Sequence, residues 1–184
     1  MRIIGGSLRG RRLCSPKDRS VRPTADRLRE TIFNIVAGEV DGADVLDLFA
    51  GTGAMGIEAL SRGAASACFV DCSRQAMLLL EKNLSACRLL DKSRRIRWDI
   101  RRNLSCLAPT GAAFSLVFID PPYGRGLSKA ALGHLHRSRL LAAGARIVIE
   151  HGTGESLQTD EAVFRIADRR RQGNTLVSFI RYLL

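Results

Sequence analysis

The stretch from Val45 to Gly56, Val-Leu-Asp-Leu-Phe-Ala-Gly-Thr-Gly-Ala-Met-Gly, leaves the chain few folds to choose from. Val45, Leu46, Leu48 and Phe49 form the short apolar run of a parallel strand covered on both faces, with Asp47 as its one charge. Gly51, Gly53 and Gly56 follow, spaced as in a loop whose backbone amides approach a ligand without hindrance from Cβ atoms. Ala54 to Arg62 then has the character of a helix whose first amides point at that ligand. A carboxylate inside an apolar strand is costly without a partner. The pattern places a ligand site at this turn.

The rest of the chain alternates in the same way. Thr24 is expected to cap a helix beginning after Pro23, with Asp26 in its first turn and Leu28, Ile32, Ile35 and Val36 at helical spacing. Arg22, Arg27 and Arg29 lie off that stripe, open to pairing with Asp26 and Glu30 or to phosphate contact. Ala67 to Asp71 is a second strand ending in an acid, with Ser73 capping a helix from Arg74 to Leu90. Arg94 to Trp98 and Phe114 to Ile119 are predicted strands, followed by a helix from Ser128 to Leu141 and a strand from Ala145 to Glu150. A terminal hairpin closes the chain, with a basic turn over Asp168 to Gly173. Strands alternating with helices and then finishing antiparallel predict an α/β, Rossmann-like sheet, seven-stranded, mostly parallel, with a reversed last strand.

Ahead of it, Met1 to Arg22 carries seven arginines and lysines against the single acid Asp18. Ile3, Ile4, Leu8 and Leu13 give this segment apolar side chains to pack, so it is expected to form an ordered basic β-hairpin or arm. The division expected is residues 1–22 as the arm and 23–184 as the main domain.

The net charge is +11 and the isoelectric point about 10.5, a field suited to nucleic acid or another polyanion. Five cysteines without a C-x-x-C pair argue against a disulfide framework and a zinc site; Cys68 and Cys72 are expected to be small buried hydrophobes. His134 and His136 sit two apart on a predicted helix and face different ways, so no metal site is expected. The absence of a membrane-length apolar run or a signal-like start points to the cytoplasm.

Gly51-x-Gly53-x-x-Gly56 with Asp71 downstream suits a dinucleotide as written. Asp47 favours S-adenosylmethionine over NAD, because it would repel a pyrophosphate and attract the ammonium of a methionine moiety. Asp71 is placed to hold a ribose diol. Asp99 either contacts the nucleobase rim or caps the next helix, and the residues leave both open. The fourth strand ends in Asp120-Pro121-Pro122-Tyr123, whose prolines force the chain out of the sheet at its carboxyl edge. An exocyclic base amine is flat and a poor nucleophile. Asp120 and the Pro121 carbonyl can each accept one of its N–H bonds and favour a more tetrahedral nitrogen, while Tyr123 offers a stacking face.

On these residues the chain resembles the RsmD family of bacterial small-subunit ribosomal RNA guanine-N2 methyltransferases. The matching pieces are Arg2-Ile3-Ile4-Gly5-Gly6 with Arg9-Gly10-Arg11, Arg22-Pro23-Thr24 through Thr31, Asp47 through Ala64, and Asp120-Pro121-Pro122-Tyr123. The resemblance implies a class I S-adenosylmethionine-dependent methyltransferase fold. It implies S-adenosylmethionine as donor and a guanine amine of 16S ribosomal RNA in a pre-assembled small-subunit particle as acceptor; no metal is expected, and the protein is expected to be a monomer. Asp120, Pro121 and Tyr123 would be the catalytic residues. Asp47, Phe49, Gly51, Gly53, Asp71 and Asp99 would hold the donor, and Arg9, Arg11, Arg12, Arg22, Arg27, Arg170 and Arg171 the RNA. Gln172 stands before Gly173 where the family usually has an aromatic. Competing readings are a DNA adenine-N6 methyltransferase, a catalytically idle RNA-binding or assembly protein, and an NAD oxidoreductase.

Overall fold

The computed structural model describes residues 1–15, 23–111 and 113–184, so Lys17, Arg19 and Arg22 lie outside the described residues. Seven strands form one sheet: β1 (Asp44–Leu48), β2 (Ser66–Asp71), β3 (Ser93–Arg97), β4 (Phe114–Ile119), β5 (Leu141–Gly152), β6 (Phe164–Gln172) and β7 (Thr175–Tyr182). Their order is β3-β2-β1-β4-β5-β7-β6, parallel throughout except that β7 runs antiparallel to both β5 and β6. The expected mostly parallel sheet is therefore present. The helices are α1 (Pro23–Ile35), α2 (Ala54–Ser61), α3 (Arg74–Cys87) and α4 (Leu127–Ser138). Among the described residues no helix is long and apolar enough to cross a membrane.

Side chains alternate across the sheet. Val45, Phe69 and Phe118 enter a core with Phe33, Ile57, Leu80 and Leu84 from α1, α2 and α3. Leu46, Leu48, Val70 and Val117 enter a second core with Ala131 and Leu135 from α4. β1 lies at the centre with both faces covered, which explains its unbroken apolar run.

Several boundaries differ from the sequence expectation. α1 begins at Pro23 itself, so Thr24 lies in its first turn; a proline is tolerated there because that N–H has no intrahelical acceptor. α3 stops at Cys87 rather than Leu90 because Arg88 turns left-handed (φ 57°) and Leu89 N–H bonds back to Leu84 O at 2.9 Å. The expected basic turn over Asp168 to Gly173 is strand instead. Arg170 pairs with Val177 and Gln172 with Thr175, which leaves only Gly173 and Asn174 to turn. β6 is a sheet edge, where arginines stay solvated, so charge there does not signal a loop. Cys68 is buried and desolvation pushes its thiol up to about 12, but Cys72 is exposed, contrary to expectation.

Residues 1–15 form a small antiparallel hairpin. Ile3 N–H donates to Arg11 O, Gly10 N–H to Ile3 O and Leu13 N–H to Met1 O, and Ile3 and Leu13 are buried in the first core. Glu58 of α2 anchors it. This fully buried carboxylate accepts from Ile4 N–H at 2.7 Å, Gly5 N–H at 2.8 Å and Arg62 Nε at 2.8 Å, with Arg29 Nε at 3.7 Å. Arg29 is thus not a surface cation. It is buried against Glu58, Asp26 and the Arg2 carbonyl, because the hairpin covers that side of α1. Removing one member of a buried charge network leaves the others unpaired. Glu58→Ala is expected to lower unfolding stability by about 3–5 kcal/mol, against less than about 1 kcal/mol for breaking the exposed Arg95–Glu81 pair. Urea unfolding checks this, and equal losses in the two variants would contradict it.

Candidate active site

The carboxyl ends of β1, β2 and β4 lie side by side. Leu48 pairs with Val70 on one side and Ile119 on the other, so the chain leaves all three strands at one edge, where open α/β sheets bind ligands. β1 gives way to the glycine loop through Phe49 in left-handed backbone (φ 61°), an uncommon conformation for a bulky residue and one that concentrates at functional sites. Ala50 N–H to Val70 O at 3.2 Å and Asp120 N–H to Leu48 O at 3.4 Å tie the loop and the proline segment to this edge.

Two carboxylates shape the loop from beneath. Asp71 Oδ2 accepts from Gly51 N–H at 2.9 Å and its Oδ1 from Ser73 N–H at 2.8 Å, so one side chain links the loop to the start of α3. Asp47 is buried, and its Oδ2 accepts from Gly56 N–H at 3.0 Å in the first turn of α2. Burial pushes its carboxyl up to about 8; the Gly56 bond opposes this, and the nearby charges of Asp120 and Asp71 add to it. Three acids therefore feel one another at this edge, an arrangement that a bound cation relieves.

The glycines divide their work differently from the expectation. A Cβ on Gly53 would lie 2.3 Å from Leu80 Cδ1, and one on Gly56 2.3 Å from the Phe69 ring. At both positions the packing of α2 on β2 and α3 by itself favours glycine, and Gly53 also has left-handed backbone (φ 79°). Gly51 has φ 55° and no such neighbour, so it is the glycine that the ligand reading suits.

Asp99 lies after β3 and is held by Arg101. Its Oδ1 accepts from Arg101 Nε at 2.8 Å and from the Arg101 backbone N–H at 3.1 Å, and its Oδ2 from Arg101 Nη2 at 2.7 Å. These bonds hold its carboxyl down at about 2. Asp120 and Tyr123 are exposed while Pro121 is buried. The Tyr123 hydroxyl donates to Glu150 Oε1 at 2.6 Å and lies 3.2 Å from Thr175 Oγ1. Its ring lies beside Gly152, and Glu155 accepts from Gly124 N–H. Desolvation and the acceptor Glu150 push the phenol above its ordinary range, so Tyr123 stays neutral and fixed.

Sequence reasoning missed Glu150, Thr175 and Asn83. Glu150 carried a signal, since it lies near the carboxyl end of an apolar strand as Asp71 does. So did Asn83, a polar residue between Leu80 and Leu84 on the inner face of α3. Its amide accepts from Cys14 N–H at 2.7 Å and donates to Cys14 O and Thr52 O, joining the hairpin to the glycine loop. His151 is buried on Ser178 Oγ at 2.9 Å, and burial lowers its pKa. His134 meets Arg137 and Arg101, whereas His136 lies against Phe164 and Tyr182.

The basic residues form separate groups. Arg9, Arg11 and Arg12 are exposed on the hairpin, with Arg11 Nη1 on Ala86 O at 2.6 Å. Arg27 is exposed on α1. Arg170 and Arg171 are exposed on β6, Arg170 pairing with Asp168 at 2.8 Å and Arg171 bonding Gly173 O at 3.0 Å. Thr175, just beyond that tip, touches Tyr123.

The family model described as "Conserved hypothetical protein 95" matches residues 1–181. The chain is 37% identical over 188 residues to the ribosomal RNA small subunit methyltransferase D of Escherichia coli strain K12, covering 95% of this chain and 93% of that protein. The solved structure of the Escherichia coli protein yhhF superposes with a TM-score of 0.87 at 36% identity, covering 100% of this chain and 98% of that one. The fold alone is shared with SMU.776, a methyltransferase by title solved with SAH, at a TM-score of 0.65 and 16% identity over 88% of this chain and 50% of that one. The glycine loop, the proline segment and the likeness along nearly the whole chain agree, and the chain belongs to the RsmD family.

Proposed function

We propose that this chain, as a monomer, transfers a methyl group from S-adenosylmethionine to the exocyclic N2 amine of a guanine in 16S ribosomal RNA within a small-subunit particle. The observation that carries the reading is the exit of Asp120-Pro121-Pro122-Tyr123 from the sheet directly beside the glycine loop, with Asp120 N–H on Leu48 O. The Escherichia coli relative is by name a small-subunit ribosomal RNA methyltransferase, and SMU.776 carries SAH; both support the choice.

The residues fit the donor. The acids Asp47, Asp71 and Asp120 suit a molecule bearing an ammonium and a sulfonium. Asp71 uses one lone pair of each oxygen on Gly51 and Ser73, which leaves acceptor capacity on both for a ribose diol. Gly51 and the left-handed Phe49 bend the loop around the methionine end, and Gly53 sets the start of α2. Asp99, oriented by Arg101, takes the adenine side. When bound, the donor supplies an electrophilic methyl carbon on sulfur.

The chain's own part is to orient the amine. Asp120 and the Pro121 carbonyl accept its two N–H bonds, turning the lone pair toward the methyl carbon. Two prolines fix that carbonyl and lower the entropy cost of the arrangement. Tyr123 stacks on the base, a contact on the order of 1–3 kcal/mol, and its tether to Glu150 and Thr175 holds the ring ready. Holding the two atoms at near-attack distance supplies the rest of the acceleration. No base acts before attack, since the ammonium product loses its proton afterwards. Arg9, Arg11, Arg12, Arg22, Arg27, Arg170 and Arg171 engage phosphates.

Labelled donor incubated with small subunits lacking the modification should give N2-methylguanosine on nucleoside analysis; N6-methyladenosine or no product would refute the reading. Asp120→Ala is expected to lower turnover by on the order of 10²–10³ with donor affinity retained, and undiminished turnover would remove Asp120 from its role.

Asp47 makes donor binding pH-dependent. Its pKa is raised from 3.8 to about 8 in the ligand-free protein, so at neutral pH it is mostly protonated and must release its proton to meet a cation. Donor affinity should therefore rise from pH 6 toward about 8, above which the donor's own ammonium begins to lose its proton. The same shift costs the ligand-free fold stability as pH rises from 3.8 through 8, so Asp47→Asn should stabilise that fold at pH 8 while weakening donor binding. Calorimetry across pH checks both, and a flat affinity profile for the unsubstituted protein would contradict the assignment.

A further inference from the structure

Residues 72–103, spanning α3, β3 and the turn after them, carry nine of the chain's arginines and lysines against three acids, a net +6 of the total +11. All nine cations are exposed. Glu81 is taken by Arg95 and Asp99 by Arg101 and Arg102. Among the described residues, Arg74, Lys82, Arg88, Lys92, Arg94 and Arg97 form no ion pair. This face belongs neither to the proline segment nor to the β6 tip, since β3 and β6 are opposite edges of the sheet.

We propose that the α3–β3 edge is a docking surface for the phosphate backbone of a structured RNA segment flanking the target nucleotide. The proposal rests on RNA being the substrate, as argued above, but not on the methyl-transfer chemistry. The geometry suits a track. α3 starts just after Asp71, at the rim of the proposed donor site, and its 14 residues run about 21 Å to Arg88. Lys92 follows immediately, and Arg94, in register with Cys68, stands on the sheet face away from α3, so the basic track wraps around the edge strand. The hairpin joins the track from the side, with Arg11 on the Ala86 carbonyl two residues before Arg88. A shallow hollow of about 190 Å³ beside the first half of α3 is lined by Arg74, Met77, Leu78 and the Glu81–Arg95 pair, so Arg74 is the cation it offers to a phosphate.

The composition favours nucleic acid over an acidic protein. Protein interfaces centre on apolar and aromatic groups, whereas interfaces with nucleic acid are more polar and strongly positive. Here the large apolar side chains exposed are Leu78 and Leu90 alone, against six unpaired cations. Protecting an edge strand from pairing needs one or two charges, not a continuous run over strand and helix.

The test is a variant carrying Arg88→Ala, Lys92→Ala and Arg94→Ala, all at exposed positions, titrated against a transcript of a folded 16S ribosomal RNA domain and against small subunits. Each lost phosphate contact should shallow the dependence of log affinity on log salt by about 0.7–0.9, so the slope should fall by about 2–3. Donor affinity should stay unchanged. A companion variant with Arg88→Lys and Arg94→Lys keeps the charges and should keep the slope. An unaltered slope in the alanine variant overturns the proposal. So does weakening confined to assembled subunits with naked RNA unaffected, which would indicate an acidic protein partner. Because binding is read without turnover, a protein that binds RNA with this slope yet transfers no methyl group would refute the proposed activity and leave this surface standing.

Discussion

The exit of β1 from the sheet depends on two carboxylates holding backbone amides. Asp47 holds the first turn of α2 through Gly56, and Asp71 holds the glycine loop through Gly51 while its other oxygen fixes the start of α3. Asp47 is not placed where a fold alone would want it. A buried aspartate whose carboxyl is driven up to about 8, near two further acids, costs the ligand-free protein stability. That cost makes sense when a cation completes the site, and the proposed donor is a cation at its reacting end.

The rest of the molecule holds this edge still. α2 is pressed onto Phe69 and Leu80 so closely that Gly53 and Gly56 have no room for a side chain. Glu58, on the same helix, gathers the N-terminal hairpin, Arg62 and Arg29, and Asn83 links the hairpin to the carbonyl of Thr52 in the loop. The basic hairpin is thus built onto the back of the glycine loop and shares its core. On the far side, β5 and β7 supply Glu150 and Thr175 to hold Tyr123, and Glu155 holds the next residue's amide. Hydrogen bonds from distant strands do for the proline segment what the two aspartates do for the loop.

Much of this was legible in the sequence, for physical reasons. Apolar runs bounded by glycine, proline or an acid gave the central strands β1, β2 and β4 nearly in place and the middle of β5, because a strand covered on both faces must be apolar throughout. The acids at strand ends pointed to the sheet's carboxyl edge, where they lie. Helix ends at Arg88 and Arg139 were illegible, since left-handed backbone there is taken by arginine rather than glycine. Asp168 to Arg171 looked like a turn because charge marks solvent exposure, and an edge strand is as exposed as a loop. Arg29 looked like surface because nothing local tells that a hairpin 27 residues earlier covers it. The Tyr123–Glu150 bond joins residues 27 apart and depends on how β4 and β5 align, which no local pattern encodes.

The proposed activity turns on geometry: an aspartate and a proline-locked carbonyl would turn a base amine toward a methyl carbon beside the glycine loop. A crystal structure with S-adenosylhomocysteine and a guanosine-containing oligonucleotide tests it most directly. The guanine N2 should lie within about 2.6–3.2 Å of both Asp120 and the Pro121 carbonyl, with the ring stacked on Tyr123 and the cofactor's ribose on Asp71. A guanine amine turned away from those two acceptors, or a cofactor lodged away from the glycine loop, would contradict it.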